Sequence, residues 1–222
     1  MRAAIIERPG LEHLVLRDLP EPRPRAGEVL VRLRAASLNF RDTLTVVGGY
    51  GSKQKQNELI PLCDGAGEVV ALGAGASRWR VGDRVIGCLF PNWLDGEIDA
   101  EKTGQSLGGS VDGCAVEYRI FKESSLVPTP AFLSDLEAAT LPCAALTAWS
   151  AVVTQGGTGA GHVVLTQGAG GVSLFALQFA HARGAPVIAT SSSAERLDRL
   201  GAMGASHLLN YREDRDWGRT AR

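Results

Sequence analysis

The sequence predicts an α/β protein with a β-rich first part and an alternating second part. Three observations carry this expectation. Residues 28–34 place Val29, Val31 and Leu33 on one face and Arg32 and Arg34 on the other, the period of a half-buried strand. The texture changes at Pro128-Thr129-Pro130, which reads as a linker. From His162 onward the rhythm becomes strand, helix, strand, helix, strand, which implies a parallel sheet with right-handed crossovers. The expected domains are therefore 1–128 and 129–222.

The elements follow in order. Residues 65–72 (GAGEVVAL) form a second strand candidate. In 80–88 (RVGDRVIGC) the pair Gly82-Asp83 separates short apolar pieces, a turn signal. Residues 91–113 are polar and glycine-rich, and an excursion over the surface is expected. Residues 115–121 read as one more strand. Residues 134–154 read as helical, with Ser134 as N-cap and Glu137 completing a capping box. Pro142 has no N–H to give and predicts a break into two helical pieces.

In the second part, 163–167 (VVLTQ) is a short strand and 172–183 a helix. Val172, Phe175, Ala176 and Phe179 recur at helical spacing and predict its buried stripe. Residues 187–190, after Pro186, form a second strand, 194–203 a second helix and 206–210 a third strand. A charged segment runs on to Arg222.

Composition narrows the function classes. The 23 basic and 24 acidic residues leave a net charge of −1, which gives no support to nucleic acid or an anionic membrane surface as partner. The basic set is almost all arginine; the lysines are Lys53, Lys55, Lys102 and Lys122. Cys63, Cys88, Cys114 and Cys143 contain no CxxC pair, which argues against a disulfide framework and a four-thiolate zinc site. MRAAIIERPG lacks the apolar stretch of a signal peptide, and glycine and polar residues interrupt every apolar run short of a membrane span. The expectation is a protein of a reducing, cytoplasmic setting.

GAGGVS, residues 168–173, lies between the first strand and helix of the second part. In a dinucleotide turn the first glycine allows the tight bend and the second admits the pyrophosphate to the backbone. Gly168 and Gly170 fill these roles. Ser173 takes the third, small position. The N–H groups at the helix start, Gly171 and Val172 among them, would face the anion with the helix dipole behind them. At the end of the second strand an NAD site usually carries an acid. Here stand Ser191, Ser192 and Ser193, with Arg196 one turn on. Hydroxyls and a guanidinium would receive a 2′-phosphate that an acid would repel, which favours NADP(H) over NAD(H). The bland alternative is that the serines cap the helix and Arg196 is solvated. Tyr211 could reach the same phosphate from the side.

Five segments together, SLNFRD (37–42), PLCDGAGEVVALG (61–73), RVGDRV (80–85), LPCAALTAW (141–149) and GAGGVS, resemble the medium-chain dehydrogenase/reductase superfamily, in its zinc-independent branch near quinone oxidoreductases. The resemblance implies a GroES-like β-barrel domain followed by a Rossmann domain. It also implies a small-molecule carbonyl or quinone-type substrate and, in many members, dimerisation through Rossmann sheet edges. Zinc-dependent members place a Cys-His-Cys set at the positions of Asn39, Cys63 and Cys143, with an acid at Asp64. The histidine and first cysteine are lost here, so no zinc is expected and the two cysteines read as a cleft wall. Asn39 would hold the nicotinamide ribose or the substrate oxygen, and Thr147 matches a position near the cofactor. Asp42, Tyr50 and Asp64 are candidate proton or orientation groups. The alternative for Asp42 and Asp64 is helix capping or an ion pair with Arg41. Phe40, Tyr50 and Trp93 would suit an apolar molecule.

The expected activity is a zinc-independent, NADP(H)-dependent oxidoreductase acting on a quinone, enone, carbonyl or alcohol. A dinucleotide fold has two halves of three strands, and residues 163–222 supply the first. The chain therefore reads as a C-terminally truncated member, with weakened cofactor binding and its first Rossmann strand left at an edge. The competing readings are a non-catalytic cofactor-binding or dimerisation module and a zinc alcohol dehydrogenase with altered ligands. Metal analysis separates the last from the first.

Overall fold

The computed structural model describes residues Met1–Arg222, which divide into two compact units, Met1–Cys143 and Ala144–Arg222. The division falls beyond Pro128–Pro130, because 129–143 packs with the first unit: Ala138 and Ala139 are fully buried in one cluster with Ala66 and Ile86.

The first unit opens with a hairpin, β1 (Arg2–Ile6) and β2 (Leu14–Asp18), paired antiparallel. Then follow β3 (Glu28–Ser37), α1 (Phe40–Val46), β4 (Asp64–Leu72), β5 (Arg84–Gly87), α2 (Ala100–Thr103), β6 (Tyr118–Lys122), β7 (Leu126–Pro128) and α3 (Asp135–Ala139). Five strands form an antiparallel sheet in the order β6-β3-β4-β5-β7. The alternation expected over 28–34 holds from Val31 onward, with Arg32 and Arg34 exposed; before it Val29, Leu30 and Val31 are all buried, and the pairing with β4 shifts register between Leu30 and Val31. One face packs a core of Val29, Val31, Val69, Val85, Leu107 and Leu126 around Cys63 and Cys114. Each such aliphatic side chain, taken fully from water, contributes about 1.5–3 kcal/mol before conformational entropy is charged. Trp79 closes the core, and its Nε1–H donates to the Glu123 carbonyl at 2.8 Å.

Several sequence expectations shift. The strand expected over 115–121 is β6 at Tyr118–Lys122, and Val116 makes only an isolated bridge to Ala3. Of 80–88 only β5 is strand; the turn at Gly82-Asp83 is present. The 91–113 segment is largely irregular, with α2 inside it. The Ser134–Glu137 capping box forms as expected, and α3 ends at Thr140, just before Pro142.

The second unit carries α4 (Leu146–Trp149), β8 (Val164–Thr166), α5 (Gly171–Ala182), β9 (Val187–Ser191), α6 (Ala194–Ala202), β10 (His207–Asn210) and α7 (Trp217–Thr220). Wide π-type turns cover Leu141–Ala145 and Ser150–Gln155, so the helical pieces around Pro142 are less regular than predicted. The sheet is parallel, in the order β10-β9-β8, and β8 lies at an edge as expected. Central β9 is buried at Val187, Ala189, Thr190 and Ser191.

The buried stripe of α5 is Ala176, Leu177 and Ala180, not the predicted set centred on the phenylalanines. Small side chains let the helix lie close on the sheet. The rings turn sideways instead: Phe175 stacks on Phe179, and Trp149 meets Phe179 edge-on at 5.3 Å. Val172 is left exposed.

Candidate functional site

Each unit carries one cluster of the predicted site residues. In the second unit the three parallel strands end side by side, and the cofactor candidates follow those ends. Gly168 turns the chain at φ +81°, a conformation open to glycine, and its N–H donates to Thr190 Oγ1 at 3.1 Å. Gly170 is the N-cap of α5, no side chain caps that helix, and a Cβ added at Gly170 would enter open space. The first-turn N–H groups, including those of Gly171 and Val172, are thus left for an outside acceptor. Ser173 Oγ donates back to the Gln167 carbonyl at 3.1 Å, which ties the helix start to the turn.

After β9, Ser191 is buried and its Oγ accepts from the Ser193 N–H at 3.3 Å. Ser193 Oγ accepts from the Arg196 N–H at 3.4 Å and caps α6. The capping alternative therefore holds for Ser193. Both hydroxyls act as acceptors here and keep an O–H to donate. Ser192 is half-buried, and Arg196 is exposed with no protein acceptor. The Tyr211 N–H donates to the Ser191 carbonyl at 3.2 Å, which brings the end of β10 to the same place. Thr147 stands exposed on α4. The free N–H groups at α5 and the hydroxyl and guanidinium donors at α6 fit the phosphates of a dinucleotide.

In the first unit the short helix α1 positions the other cluster. Asn39 takes extended backbone angles as its N-cap, and Asp42 Oδ2 accepts from the Asn39 N–H at 2.7 Å. Asp42 is thus occupied in a capping box. The capping alternative therefore holds for Asp42, and its carboxylate, turned to the Asn39 N–H, makes no ion pair with Arg41. The Asn39 side chain reaches β4: its Nδ2 donates to Asp64 Oδ2 at 2.8 Å and to Cys63 Sγ at 3.6 Å. The Cys63 thiol also donates to Asp64 Oδ1 at 3.2 Å. Cys143 packs against the same core.

Burial governs the electrostatics. It raises the pKa of Asp64, against the hydrogen bonds from Asn39 and Cys63 that lower it. Burial raises Asp42 too. Hydrogen bonding to Cys143 and burial push the Cys63 thiol up, and the same hydrogen bond holds Cys143 below the ordinary thiol value. Burial pushes Cys114 up to about 12. Arg41 lies 5.7 Å from the Tyr50 ring centre. Phe40 is exposed at the start of α1, and Trp93 packs on Phe90 within the surface loop.

The donor set does not suit a metal. No three His, Cys, Asp or Glu side chains group to hold one. The Asn39 amide aims its hydrogens at the Asp64 and Cys63 lone pairs that a cation would need. The sequence offered Arg41 only as an ion-pair partner for Asp42 or Asp64; its place beside Tyr50 depends on how the chain after α1 folds back.

Comparison with known proteins agrees with this organisation. Residues 25–131 match the alcohol dehydrogenase GroES-like domain, and residues 171–222 match the zinc-binding dehydrogenase family. A zinc-type alcohol dehydrogenase-like protein of Schizosaccharomyces pombe is 43% identical over 88% of this chain and 57% of its own length. A chloroplast envelope quinone oxidoreductase homolog of Arabidopsis thaliana is 32% identical over 91% of this chain and 57% of its own. A solved thermostable alcohol dehydrogenase of Pyrobaculum aerophilum, bound to cobalt and zinc, superposes with a TM-score of 0.83 at 31% identity, covering 94% of this chain and 65% of that one. The chain thus spans less than two thirds of the length of these relatives. With a GroES-like domain leading into the start of a Rossmann-like one, it belongs to the medium-chain dehydrogenase/reductase superfamily of oxidoreductases.

Proposed function

We propose that the chain carries the catalytic domain, residues 1–128, and the first cofactor-binding half, residues 129–222, of a zinc-independent NADP(H)-linked reductase. Its substrates are quinones, enones or related carbonyl compounds. The observation that carries this reading is the Asn39 carboxamide, whose N–H groups face the Asp64 and Cys63 lone pairs that a catalytic zinc would occupy. The relative from Pyrobaculum aerophilum is bound to zinc and cobalt; this donor set supports a different solution. Free thiols at all four cysteines support a reducing, cytoplasmic setting. No helix is long and apolar enough to cross a membrane.

The nicotinamide supplies the hydride. The chain supplies binding and orientation. Gly168 and Gly170 open the backbone to the pyrophosphate, with Gly171 and Val172 donating from the start of α5. Ser191, Ser192, Ser193 and Arg196 receive the 2′-phosphate, and Tyr211 flanks it. Asn39 presents its amide to the ribose or substrate oxygen and is held in place by Asp64. Asp64, with no exposed surface, works through Asn39 rather than on the substrate. Asp42 fixes the start of α1, and Thr147 lines the cofactor.

The test is a pair of thermal titrations of the 222-residue chain with NADPH and NADH, with metal analysis on the same sample. Saturation at a hundredfold excess over Kd stabilises the native state by about 2.7 kcal/mol. A shift with NADPH alone and no bound zinc supports the reading. An equal NADH shift overturns the NADP assignment. Stoichiometric zinc overturns the metal-free site.

A further inference from the structure

Three arginines of this chain are partly withdrawn from water: Arg41, Arg84 and Arg119. Arg84 donates to Asp135 and to the Leu133 carbonyl, and Arg119 to the Gly113 carbonyl. Arg41 has no carboxylate within ion-pair distance, and the side chain that answers it is Tyr50, a neutral phenol. Its guanidinium lies by the Tyr50 ring, and a Cβ added at Gly109 would stand 3.1 Å from its Nη2. A half-buried guanidinium with five N–H donors and no anionic partner keeps donors free for a carboxylate.

We propose that Arg41, held between Tyr50 and Gly109 at the start of α1, receives a carboxylate of the substrate. The substrates are then unsaturated or carbonyl compounds that also carry an acid group. What the enzyme does to them rests on the reductase reading above; the binding of the acid does not.

The surroundings select the anion. Asp42 and Asp64 stand close enough to this cluster to affect each other and, in the case of Asp42, Arg41. With Asp42 and Asp64 near it, one guanidinium leaves room for no more than a single negative charge on a ligand. A phosphate, with more charge and no second cation, meets repulsion there. The planar guanidinium matches a carboxylate through two parallel hydrogen bonds, which a lysine could not copy.

The test measures binding to the cofactor-free 222-residue chain by calorimetry, with trans-2-butenoate against its neutral amide, trans-2-butenamide. The acid is expected to bind at least about tenfold more tightly, the scale of one charged hydrogen-bonded contact. Arg41→Gln should erase the difference and leave the amide unaffected, while Arg41→Lys keeps part of it. Added salt should weaken the acid and spare the amide in the unaltered protein, a readout that needs no variant. Equal affinities, no binding of either probe, or an acid preference that survives in a folded Arg41→Gln protein overturns the proposal. So does inorganic pyrophosphate that competes with the acid and binds more tightly, since the cation then serves a phosphate. Acid binding through Arg41 without an NADPH response would mean that residues 129–222 do not hold the cofactor by themselves, and would leave this inference standing.

Discussion

The backbone N–H of Gly168 donates to the hydroxyl of Thr190 at 3.1 Å, so the glycine turn after β8 is fastened to the end of β9. The strand that carries the serine run thereby sets the position of the turn. Thr190→Val keeps the shape and removes the acceptor. It should cost about 1–3 kcal/mol in urea unfolding, the penalty of an N–H left without its partner. It should also reduce the thermal shift produced by NADPH.

Arg196 is exposed and free of protein acceptors, whereas the Ser191 and Ser193 hydroxyls are anchored. Arg196→Ala should therefore leave stability within about 0.5 kcal/mol, as surface changes usually do. It should weaken NADPH by about tenfold, one charged contact, and leave NADH unchanged. Parallel titrations of the two nucleotides check this.

Asp64 is fully buried and its pKa lies above the ordinary carboxylate range, burial being the largest cause. The folded state therefore binds the proton more tightly than the unfolded state. Stability should fall as pH rises from the unfolded pKa through the raised folded one, and then level off. Asp64→Asn keeps an acceptor for Asn39 and removes the titration. It should flatten that part of the pH profile in denaturant unfolding, with Asp42, raised in the same direction, left as the residual slope.

The four cysteines should separate in reactivity. Cys143 is partly accessible and its thiol is held low by the hydrogen bond from Cys63, with Arg41 adding to the effect. Cys114 is fully enclosed and pushed up to about 12. Burial also raises Cys88. Limiting iodoacetamide at neutral pH should modify Cys143 first and the enclosed Cys63 and Cys114 last, as read by peptide mass mapping. Cys63→Ser should slow the reaction at Cys143.

Much of this architecture is legible in the sequence where the cause is local. The strand at 28–34, the Ser134–Glu137 box and the strand–helix rhythm after His162 all survive in the structure, although the alternation in that strand begins only at Val31. The N-terminal hairpin β1–β2 escaped notice because RAAII is too short and too uniformly apolar to show a period, and its partner is set by pairing. The seven-residue α1 is equally short; only its cap residues, Asn39 and Asp42, hint at it. On α5 the spacing predicted only part of the buried face: Ala176 is buried and Phe175 and Phe179 pack at the margin of the core, but helical periodicity cannot tell a phenylalanine that packs sideways on Trp149 from one that faces the sheet. The glycine turn was legible as a motif. The Asn39–Asp64 bond was not, since it joins residues 25 apart in sequence, nor was the setting of Arg41 beside Tyr50, which depends on the irregular chain after α1.

The strand order β10-β9-β8 also ranks these elements by how readily they open. β9 is hydrogen-bonded on both sides and buried at four of its five residues, while β8 is bonded on one side only and leaves Leu165 exposed. Backbone amides of β9 should exchange with heavy water last in this unit, and those around β8 much earlier. The Ser191 end of the proposed nucleotide site is therefore already rigid before any ligand arrives. The glycine turn, hung from the looser strand, is the part whose motion a bound pyrophosphate would quiet.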